Sequence, residues 1–189
     1  MAVAERSAAQ AAQRIADVLE AAAVPYAIGG ALALAVAGVP RGTADVDINI
    51  FVEETELPRV FSALHSLGIE VDPGSATSRA QRDGMFVARW DGMRIDVFLP
   101  SIPFSGEALR TRILLTDDVG WSGWFLSAEA IAIFKLLFWR GKDIVDVERL
   151  LAVRDDLDTS YIRRWMVDMM GEADERVRRW DEFVSRTAQ

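Results

Sequence analysis

The sequence predicts an α+β protein in which a mixed β-sheet with helices is followed by a C-terminal helical segment. The order of elements indicated by the residue pattern is β-α-β-α-β-β, and from Ser127 onward the pattern is helical. The chain has 189 residues, of which 51% are hydrophobic, enough for one sizeable core. We therefore expect a core over residues 1–126 and a helical segment over 127–189 that packs on it.

The elements of the first half follow from periodicity and from residues that end helices. Gly38 with Pro40 closes a short alanine-rich helix, and Gly68 closes a longer amphipathic one. The strand after the short helix alternates and is rich in Val, Ile and Phe. The predicted elements here are a helix over 4–22, a strand over 26–28, a helix over 31–38, a strand over 44–52 and a helix over 57–68.

The second half begins with a hairpin and ends in helices. Asp91-Gly92 is a strong turn signal between two apolar runs. Residues 101–106 are expected to form a loop, because they combine serine, proline and glycine. The predicted elements are strands over 84–90 and 92–99, weaker strands over 111–115 and 120–127, and helices near 127–139, 142–154, 159–170 and 172–187.

Charge and composition exclude several classes of protein. The net charge of −8 argues against non-specific coating of nucleic acid, and the absence of cysteine excludes disulfides and thiolate metal sites. Residues 21–40 carry no charge, but they are mostly alanine and glycine, and Pro25 with the glycine pair interrupts them. We therefore expect a cytoplasmic protein with no membrane partner.

A glycine pair and two aspartates indicate a site between Tyr26 and Ile50. Asp45 and Asp47 are two apart on a predicted strand, so their side chains would share one face. Such a pair is costly unless a cation neutralises it, and carboxylate oxygens suit Mg²⁺. Gly29 and Gly30 precede a helix, where bare backbone N–H groups can approach phosphate. Together these features indicate a triphosphate–Mg²⁺ site.

A third carboxylate is expected for two-metal phosphoryl or nucleotidyl transfer. Asp96 fits this requirement, because it is a lone acid inside an apolar strand, between Ile95 and Val97. The other strand of the hairpin offers no acid between Gly84 and Trp90.

The segments "IGG", "RGTADVDI" and "RIDVF" resemble the nucleotidyltransferase superfamily typified by DNA polymerase β. The form Arg41-x-Thr43-x-Asp45-x-Asp47 is more specifically similar to the AbiEii/MenT group of bacterial toxin nucleotidyltransferases. One departure is Gly30, because many members have Gly-Ser at the glycine pair and use the serine hydroxyl to contact phosphate.

A second segment, "LSAEAIAIFKLLFWRGKDIVDVERLL", carries the same resemblance. The group has a helix with a lysine, followed by a Lys/Arg-Asp-x-x-Asp sequence, and Lys135, Lys142, Asp143 and Asp146 match these positions. The resemblance extends over roughly residues 26–154.

The resemblance implies an enzyme that uses a nucleoside triphosphate and two Mg²⁺ ions, or Mn²⁺ in their place. Asp45, Asp47 and Asp96 would bind the metal ions, and these acids with Lys135 would be the catalytic residues. Attack of an acceptor hydroxyl at the α-phosphorus would expel pyrophosphate. The nucleotide-binding residues would be Gly29, Gly30, Arg41, Thr43, Lys135, Lys142, Asp143 and Asp146.

Several acceptors agree with the sequence. The group resemblance implies the toxin of a toxin–antitoxin pair, with a tRNA 3′ end as acceptor and a cognate antitoxin as partner. A small aminoglycoside-like molecule or a protein hydroxyl is an alternative acceptor, and the acidic net charge would suit a cationic antibiotic. A non-catalytic nucleotide-binding module is the third hypothesis, although the three acids argue against it.

Purely structural roles are the alternative for several of these residues. Arg41 could order the loop before the strand, and Lys135 could extend from an apolar helix to the surface. Asp143 could be a first-turn acid of the following helix, and Asp146 could form i,i+3 contacts on it.

Overall fold

The structure, a computed structural model, describes residues 7–187, and over these residues nine α-helices surround one six-stranded sheet. The strands are β1 Tyr26–Ile28, β2 Val46–Ile50, β3 Met85–Trp90, β4 Met93–Phe98, β5 Ile113–Thr116 and β6 Ser122–Phe125. The helices are α1 Ala8–Ala21, α2 Gly30–Val36, α3 Leu57–Ser66, α4 Pro73–Asp83, α5 Ser105–Thr111, α6 Ala128–Phe138, α7 Gly141–Val153, α8 Thr159–Met170 and α9 Glu175–Thr187.

The sheet is mixed, and its spatial order is β3-β4-β2-β1-β6-β5. β2 pairs in parallel with β4, and β1 pairs in parallel with β6. The other neighbouring pairs are antiparallel, including the β3–β4 hairpin around Asp91-Gly92. The mixed sheet and the C-terminal helices confirm the predicted fold class.

Most element boundaries agree with the sequence prediction, and the helix starts have visible causes. Ser7 caps α1, since its hydroxyl accepts from the Gln10 N–H while the Gln10 side chain accepts from the Ser7 N–H. The predicted helix began at residue 4, and its first three positions lie outside the described residues. Ser127 caps α6 in the same way, through the Ala130 N–H.

Two helices were missed, and the loop predicted over residues 101–106 is shorter than expected, because it ends at residue 104. α5 begins at Ser105, inside that predicted loop, above the buried Phe104. α4 lacks an apolar stripe, because within it only Ala76 and Ala80 are buried. Its start was nevertheless signalled by Asp72, which caps the Ser75 N–H, and by proline at the first helical position.

One correction concerns the acidic strand. β2 begins at Val46, so Asp45 precedes the strand rather than lying within it. Val46, Ile48 and Ile50 are buried against the core, which leaves Asp47 and Asn49 on the opposite face of the strand. The alternation therefore still directs Asp47 away from the core.

The hydrophobic core continues from the sheet into the C-terminal helices. In α6, Ile131, Ile133 and Leu136 belong to the same buried cluster as Ile28 and Ile48 of the sheet. α6 packs against α2 as well as against α7 and α8. Among the described residues, no helix has both the length and the apolar composition needed to cross a bilayer.

We predict that a chain ending at Leu126 does not fold on its own. Removing α6 would expose the apolar surface that its buried side chains cover, and hydrophobic burial is the main favourable term in folding. Thermal denaturation followed by circular dichroism should show no cooperative transition for residues 1–126, in contrast to the full chain. A sharp, reversible transition in the shortened chain would show that the first 126 residues form an independent domain.

Candidate active site

A cleft of about 220 Å³ lies between the β2–β4 part of the sheet and helices α6 and α7. All of the predicted site residues line it except Gly29 and Asp146. A larger open groove, about 880 Å³, is lined by His65, Arg79 and Arg89 and contains none of the predicted site residues. The chemistry-bearing side chains therefore define the smaller cleft as the candidate site.

Two carboxylates meet on the sheet wall of this cleft. β2 and β4 run parallel in a register that places Asp47 directly beside Asp96. Adjacent strands are about 5 Å apart, so in-register side chains on one face are close neighbours. Burial raises the pKa of Asp47, the charge of Asp96 raises it further, and the charge of Lys142 partly opposes the shift.

Asp96 has a cationic partner on its own strand. Arg94 Nε donates to Asp96 Oδ1 at 2.8 Å, and this hydrogen bond raises the pKa of Arg94. The two side chains share a face because they are two residues apart. Arg94 was missed as a site residue, although it begins the "RIDVF" segment that identified Asp96.

Asp45 and Thr43 form a compact turn just before β2. The Thr43 hydroxyl accepts from the Asp45 N–H at 3.2 Å and donates to the Asp45 carbonyl at 2.9 Å. Asp45 is exposed, and it lines the cleft together with Thr43 and Arg41. Thr43 therefore orders the backbone that carries Asp45, a role that its hydroxyl performs without any ligand.

The glycine pair is required by the close approach of β2. The Gly29 N–H donates to the Asp47 carbonyl at 2.9 Å. Gly30 has φ +55°, and a Cβ there would lie 1.8 Å from Asp47 Oδ2. A serine cannot occupy this position unless the Asp47 side chain moves.

The carboxylates of the sheet wall fit a hard divalent cation as part of its ligand set. Asp47 and Asp96 repel each other, and an ion between them would remove that repulsion. Mg²⁺ takes one or two protein carboxylates and completes its shell with water and substrate phosphate oxygens. Among residues 7–187 no three potential ligands already converge on one point, so phosphate oxygens or water would have to supply the remaining ligands.

A buried ion cluster forms the helix wall of the cleft, and its central residue is Lys135. Lys135 Nζ donates to Asp146 Oδ2 at 2.7 Å and to Asp143 Oδ1 at 3.2 Å. Arg140 Nε donates to Asp143 Oδ2 at 2.6 Å. Burial alone would raise the pKa of Asp143, but Arg140 and Lys135 more than offset it, so the pKa is lowered.

The structural roles suggested for Lys135, Asp143 and Asp146 can be compared with the contacts that these residues make. Lys135 does not extend to the surface, because only 7% of it is exposed. Asp143 is a first-turn acid of α7, as expected, and accepts from the Arg140 N–H. The proposed i,i+3 contacts of Asp146 are replaced by contacts with Lys135 and with Arg41, whose Nε lies 3.4 Å from Asp146 Oδ2.

Arg41 ties the loop before β2 to α7. Its Nε is buried and has no hydrogen-bond partner, although Asp146 is close enough for an ion pair. Both residues lie at the junction between the acidic turn at Asp45 and the lysine of α6. The cluster thus positions the two halves of the cleft relative to each other.

Sequence reasoning missed the aromatic part of the cleft. Phe98 of β4 and Phe138 of α6 line it, with ring centroids 5.9 Å apart, and Arg140 lies over the Phe138 ring at 5.0 Å. Trp121, Trp124 and Trp139 do not line the cleft. Phe98 lies two residues after Asp96 and Phe138 lies three residues after Lys135, and this proximity in sequence is the signal that could have indicated them.

Several arginines of the C-terminal helical segment form ion pairs with acids of the same segment. Arg163 forms ion pairs with Glu172 and Asp181, Arg176 pairs with Asp174, and Arg179 pairs with Glu182. These contacts favour solvated helix faces over a surface for nucleic acid.

No protein-family model matches this chain, and neither does any curated protein. Among solved structures, the antibiotic-resistance factor ANT(2″)-Ia in solution superimposes with a TM-score of 0.52 at 16% identity, covering 97% of this chain and 95% of that one. A crystal structure of an antigenic nucleotidyltransferase-like protein from Paracoccidioides brasiliensis gives 0.50 at 18% identity, covering 91% and 92%. ANT(2″)-Ia in complex with adenylyl-2″-tobramycin gives 0.48 at 16%, covering 93% and 96%. The fold is therefore that of nucleotidyltransferase-like proteins.

We predict that Lys135→Met is strongly destabilising. The substitution would leave Asp143 and Asp146, which are 0% and 3% exposed, without their shared cation. Removing one partner of a buried ion pair costs about 3–5 kcal/mol. Urea denaturation should show this loss, whereas Lys142→Met, at an exposed position of the same cleft, should change stability by less than about 0.5 kcal/mol. Equal stabilities for the two variants would contradict the geometry of the cluster.

We predict that Asp47→Asn raises the melting temperature at pH 7 in the presence of EDTA. The pKa of Asp47 in the folded protein is raised above the ordinary value of 3.8, so the folded state binds more protons in the window above that value. The free energy of unfolding therefore falls as pH rises through this window. The gain from the asparagine should shrink as pH falls towards 4.

The control for this pH series is Asp72→Ala, at a position remote from the cleft. The Ser75 N–H lowers the pKa of Asp72, so its contribution to stability is present at neutral pH and is lost on acidification. This variant should be less stable than the wild type at pH 7.

A lower melting temperature for Asp47→Asn than for the wild type at pH 7 would contradict the prediction, because it would show that the folded protein favours the charged carboxylate of Asp47.

Proposed function

We propose that this protein is a Mg²⁺-dependent nucleotidyltransferase that moves a nucleoside monophosphate from a nucleoside triphosphate to a hydroxyl acceptor. The observation that carries the proposal is the in-register pair Asp47 and Asp96, half-buried in a cleft whose opposite wall is cationic. A pair of like charges that is partly removed from water is costly, and a bound cation would relieve that cost.

The two walls of the cleft have opposite charge. The sheet wall carries Asp45, Asp47 and Asp96, of which only Asp96 has an ion-pair partner among the described residues. The helix wall carries Lys135, Arg140 and the exposed Lys142, and its two anions, Asp143 and Asp146, are paired with Lys135, Arg140 and, from the loop before β2, Arg41. A triphosphate with its metal ions would fit between such walls, with phosphate oxygens towards Lys142 and metal ions towards the acids.

We assign roles to the residues of this chain as follows. Asp45, Asp47 and Asp96 would hold two Mg²⁺ ions, or Mn²⁺, and such ions would supply stabilisation of negative charge on the phosphate oxygens. Asp96 takes the proton of the acceptor hydroxyl, whose oxygen then bonds to the α-phosphorus while the bond to the pyrophosphate oxygen breaks. Lys142 and Arg140 bind the triphosphate, and Lys135 adds its charge from within the buried cluster.

We propose that Lys142, rather than Lys135, is the lysine that contacts phosphate directly. Lys135 is already bonded to two aspartates, so the exposed Lys142 is better placed for direct contact with phosphate. Phe98 and Phe138 provide an apolar surface on which a base can stack. Gly29 and Gly30 allow close approach of the backbone beside Asp47.

We propose a tRNA 3′ end as the acceptor, with the protein acting as the toxin of a toxin–antitoxin pair. Support comes from the resemblance of the segment from Arg41 to Asp47, and of the segment from Lys135 to Asp146, to the AbiEii/MenT group. A cognate antitoxin is the partner that this reading implies.

A second acceptor class is a small hydroxylated cation of the aminoglycoside kind. The resistance factor ANT(2″)-Ia matches 97% of this chain at a TM-score of 0.52, and the net charge of −8 would attract a cationic substrate. The two classes differ in the charge of the acceptor, which a direct assay can separate.

We predict that the purified protein with Mg²⁺ and labelled nucleoside triphosphates transfers label to tRNA-sized species in total RNA. Parallel reactions should contain an aminoglycoside or no added acceptor. Label in the antibiotic alone would select the second acceptor class, and label in the protein itself would select a protein hydroxyl. Absence of label from all three reactions would overturn the proposed activity.

Variants of the cleft serve as controls for this assay. Asp47→Asn and Asp96→Asn should each reduce transfer at least about a hundredfold, which corresponds to roughly 3 kcal/mol of transition-state stabilisation. Asp155→Asn, at an exposed position outside the cleft, should retain full activity. Comparable activity in all three variants would remove these acids from the mechanism.

A further inference from the structure

The open groove of about 880 Å³ lies on the same face of the sheet as the acids of the cleft. Arg89 of β3 lies directly opposite Arg94 of β4, and residues directly opposite each other in an antiparallel pair share a face. Arg94 and Asp96 are two apart on β4, so they share that face as well. Both arginines line the groove and Asp96 lines the cleft, so the two spaces adjoin at the hydrogen bond between Arg94 and Asp96.

The groove begins close to the residue that would take the proton of the acceptor hydroxyl. Two residues along a strand span about 7 Å, and adjacent strands are about 5 Å apart. The Cα atom of Arg89 is therefore roughly 8 Å from that of Asp96. An acceptor with its hydroxyl at Asp96 would have the groove as the neighbouring space for the rest of the molecule.

Three arginines line the groove, and two of them have no ionic partner. Arg79 of α4 and Arg89 are exposed, and neither side chain forms an ion pair within residues 7–187. Arg79 lies near Asp83, but that carboxylate is already bonded to Arg82. Arg89 also lies opposite a like charge, that of Arg94, and such pairs repel each other. An anion bound between these arginines would remove the repulsion.

The acids of the groove do not neutralise its arginines. Glu70 lies opposite Arg89 in a backbone bridge, but among the described residues the two side chains form no ion pair. Asp72 is engaged at the start of α4, where it accepts from the Ser75 N–H. Three arginines therefore line the groove with two carboxylates, in a chain whose net charge is −8. The groove has the opposite sign of charge from the chain as a whole, which favours an anionic ligand.

We propose that this groove binds the phosphates of a nucleic-acid acceptor, and that Arg79 and Arg89 are the residues that contact them. Arginine binds phosphate through two parallel hydrogen bonds, and phosphate contacts position a nucleic acid without reading its sequence. A cationic acceptor of the aminoglycoside kind would be repelled by the same arginines. The proposal rests on the proposed function only in calling the bound nucleic acid the acceptor, because binding itself requires no transfer.

Fluorescence anisotropy with labelled tRNA, in the absence of nucleoside triphosphate, tests the binding alone. The groove variant, Arg79→Gln with Arg89→Gln, should raise the dissociation constant at least about tenfold. Each phosphate contact contributes about 0.7–0.9 to the slope of log K against log salt concentration, so this slope should become shallower by about 1.4–1.8. Arg94 is left unchanged, because its loss would also free Asp96.

A matched control separates the groove from net charge. Arg149→Gln with Arg178→Gln changes the net charge by the same amount at exposed positions of α7 and α9 that do not line the groove. This control variant should bind tRNA with nearly the affinity and salt slope of the wild type. Arg79→Lys with Arg89→Lys should retain most of the affinity, because it keeps both charges. Equal affinities and salt slopes for the groove and control variants, or a wild type that does not bind tRNA, would overturn the proposal.

The transfer assay distinguishes a failure of this proposal from a failure of the proposed function. In the groove variant, the KM for tRNA should rise at least about tenfold, while kcat and the KM for nucleoside triphosphate stay unchanged. A wild-type KM for tRNA in an active groove variant would overturn the role of the groove and leave the transferase standing. A wild type that transfers no label, but whose tRNA binding depends on Arg79 and Arg89, would overturn the transferase and support the groove as a nucleic-acid site.

Discussion

The pairing of β2 with β4 is the constraint on which the candidate site depends. Their parallel register sets Asp47 beside Asp96 on one face of the sheet, where in-register side chains are close neighbours. The fold sustains this repulsion because Val46 and Ile48 anchor β2 in the core from the other face. On the far side of the cleft, Lys135 binds Asp143 and Asp146 and joins α6 to α7. Hydrophobic burial thus sets the positions of these strands and helices, and those positions determine where the charged side chains lie.

The fold could be predicted from sequence wherever an apolar pattern exists. β2, the β3–β4 hairpin and the C-terminal helices have strong periodicity, and they lie where the pattern placed them. α4 could not be found by this means, because its sequence PGSATSRAQRD buries only two alanines and is held by its cap and its neighbours. The sheet order β3-β4-β2-β1-β6-β5 was also beyond the sequence, since local periodicity carries no information about which strands are neighbours.

The sequence indicated residues that line the candidate cleft, but it did not indicate the contacts that they make. The spacing of Asp45, Asp47 and Asp96 indicated the acids, and the structure brings them to one cleft. The sequence suggested that Lys135 was either exposed or directed at phosphate, whereas it is buried between two aspartates. Those partners lie eight and eleven residues away, on the next helix. Their approach depends on how α6 packs on α7, which no local pattern encodes.

Arg94 was missed because a charged residue on a strand usually indicates only solvent exposure.

The central claim is that the cleft binds a nucleoside triphosphate with divalent cations held by the acids of the sheet wall. The most direct measurement is a crystal structure with Mn²⁺ and a non-hydrolysable nucleoside triphosphate, in which anomalous scattering locates the metal. The account predicts anomalous peaks within ligand distance of Asp47 and Asp96, with the triphosphate against Lys142. Metal and nucleotide bound in the groove near His65 and Arg89, or a triphosphate in the cleft with no metal at Asp47, would contradict it.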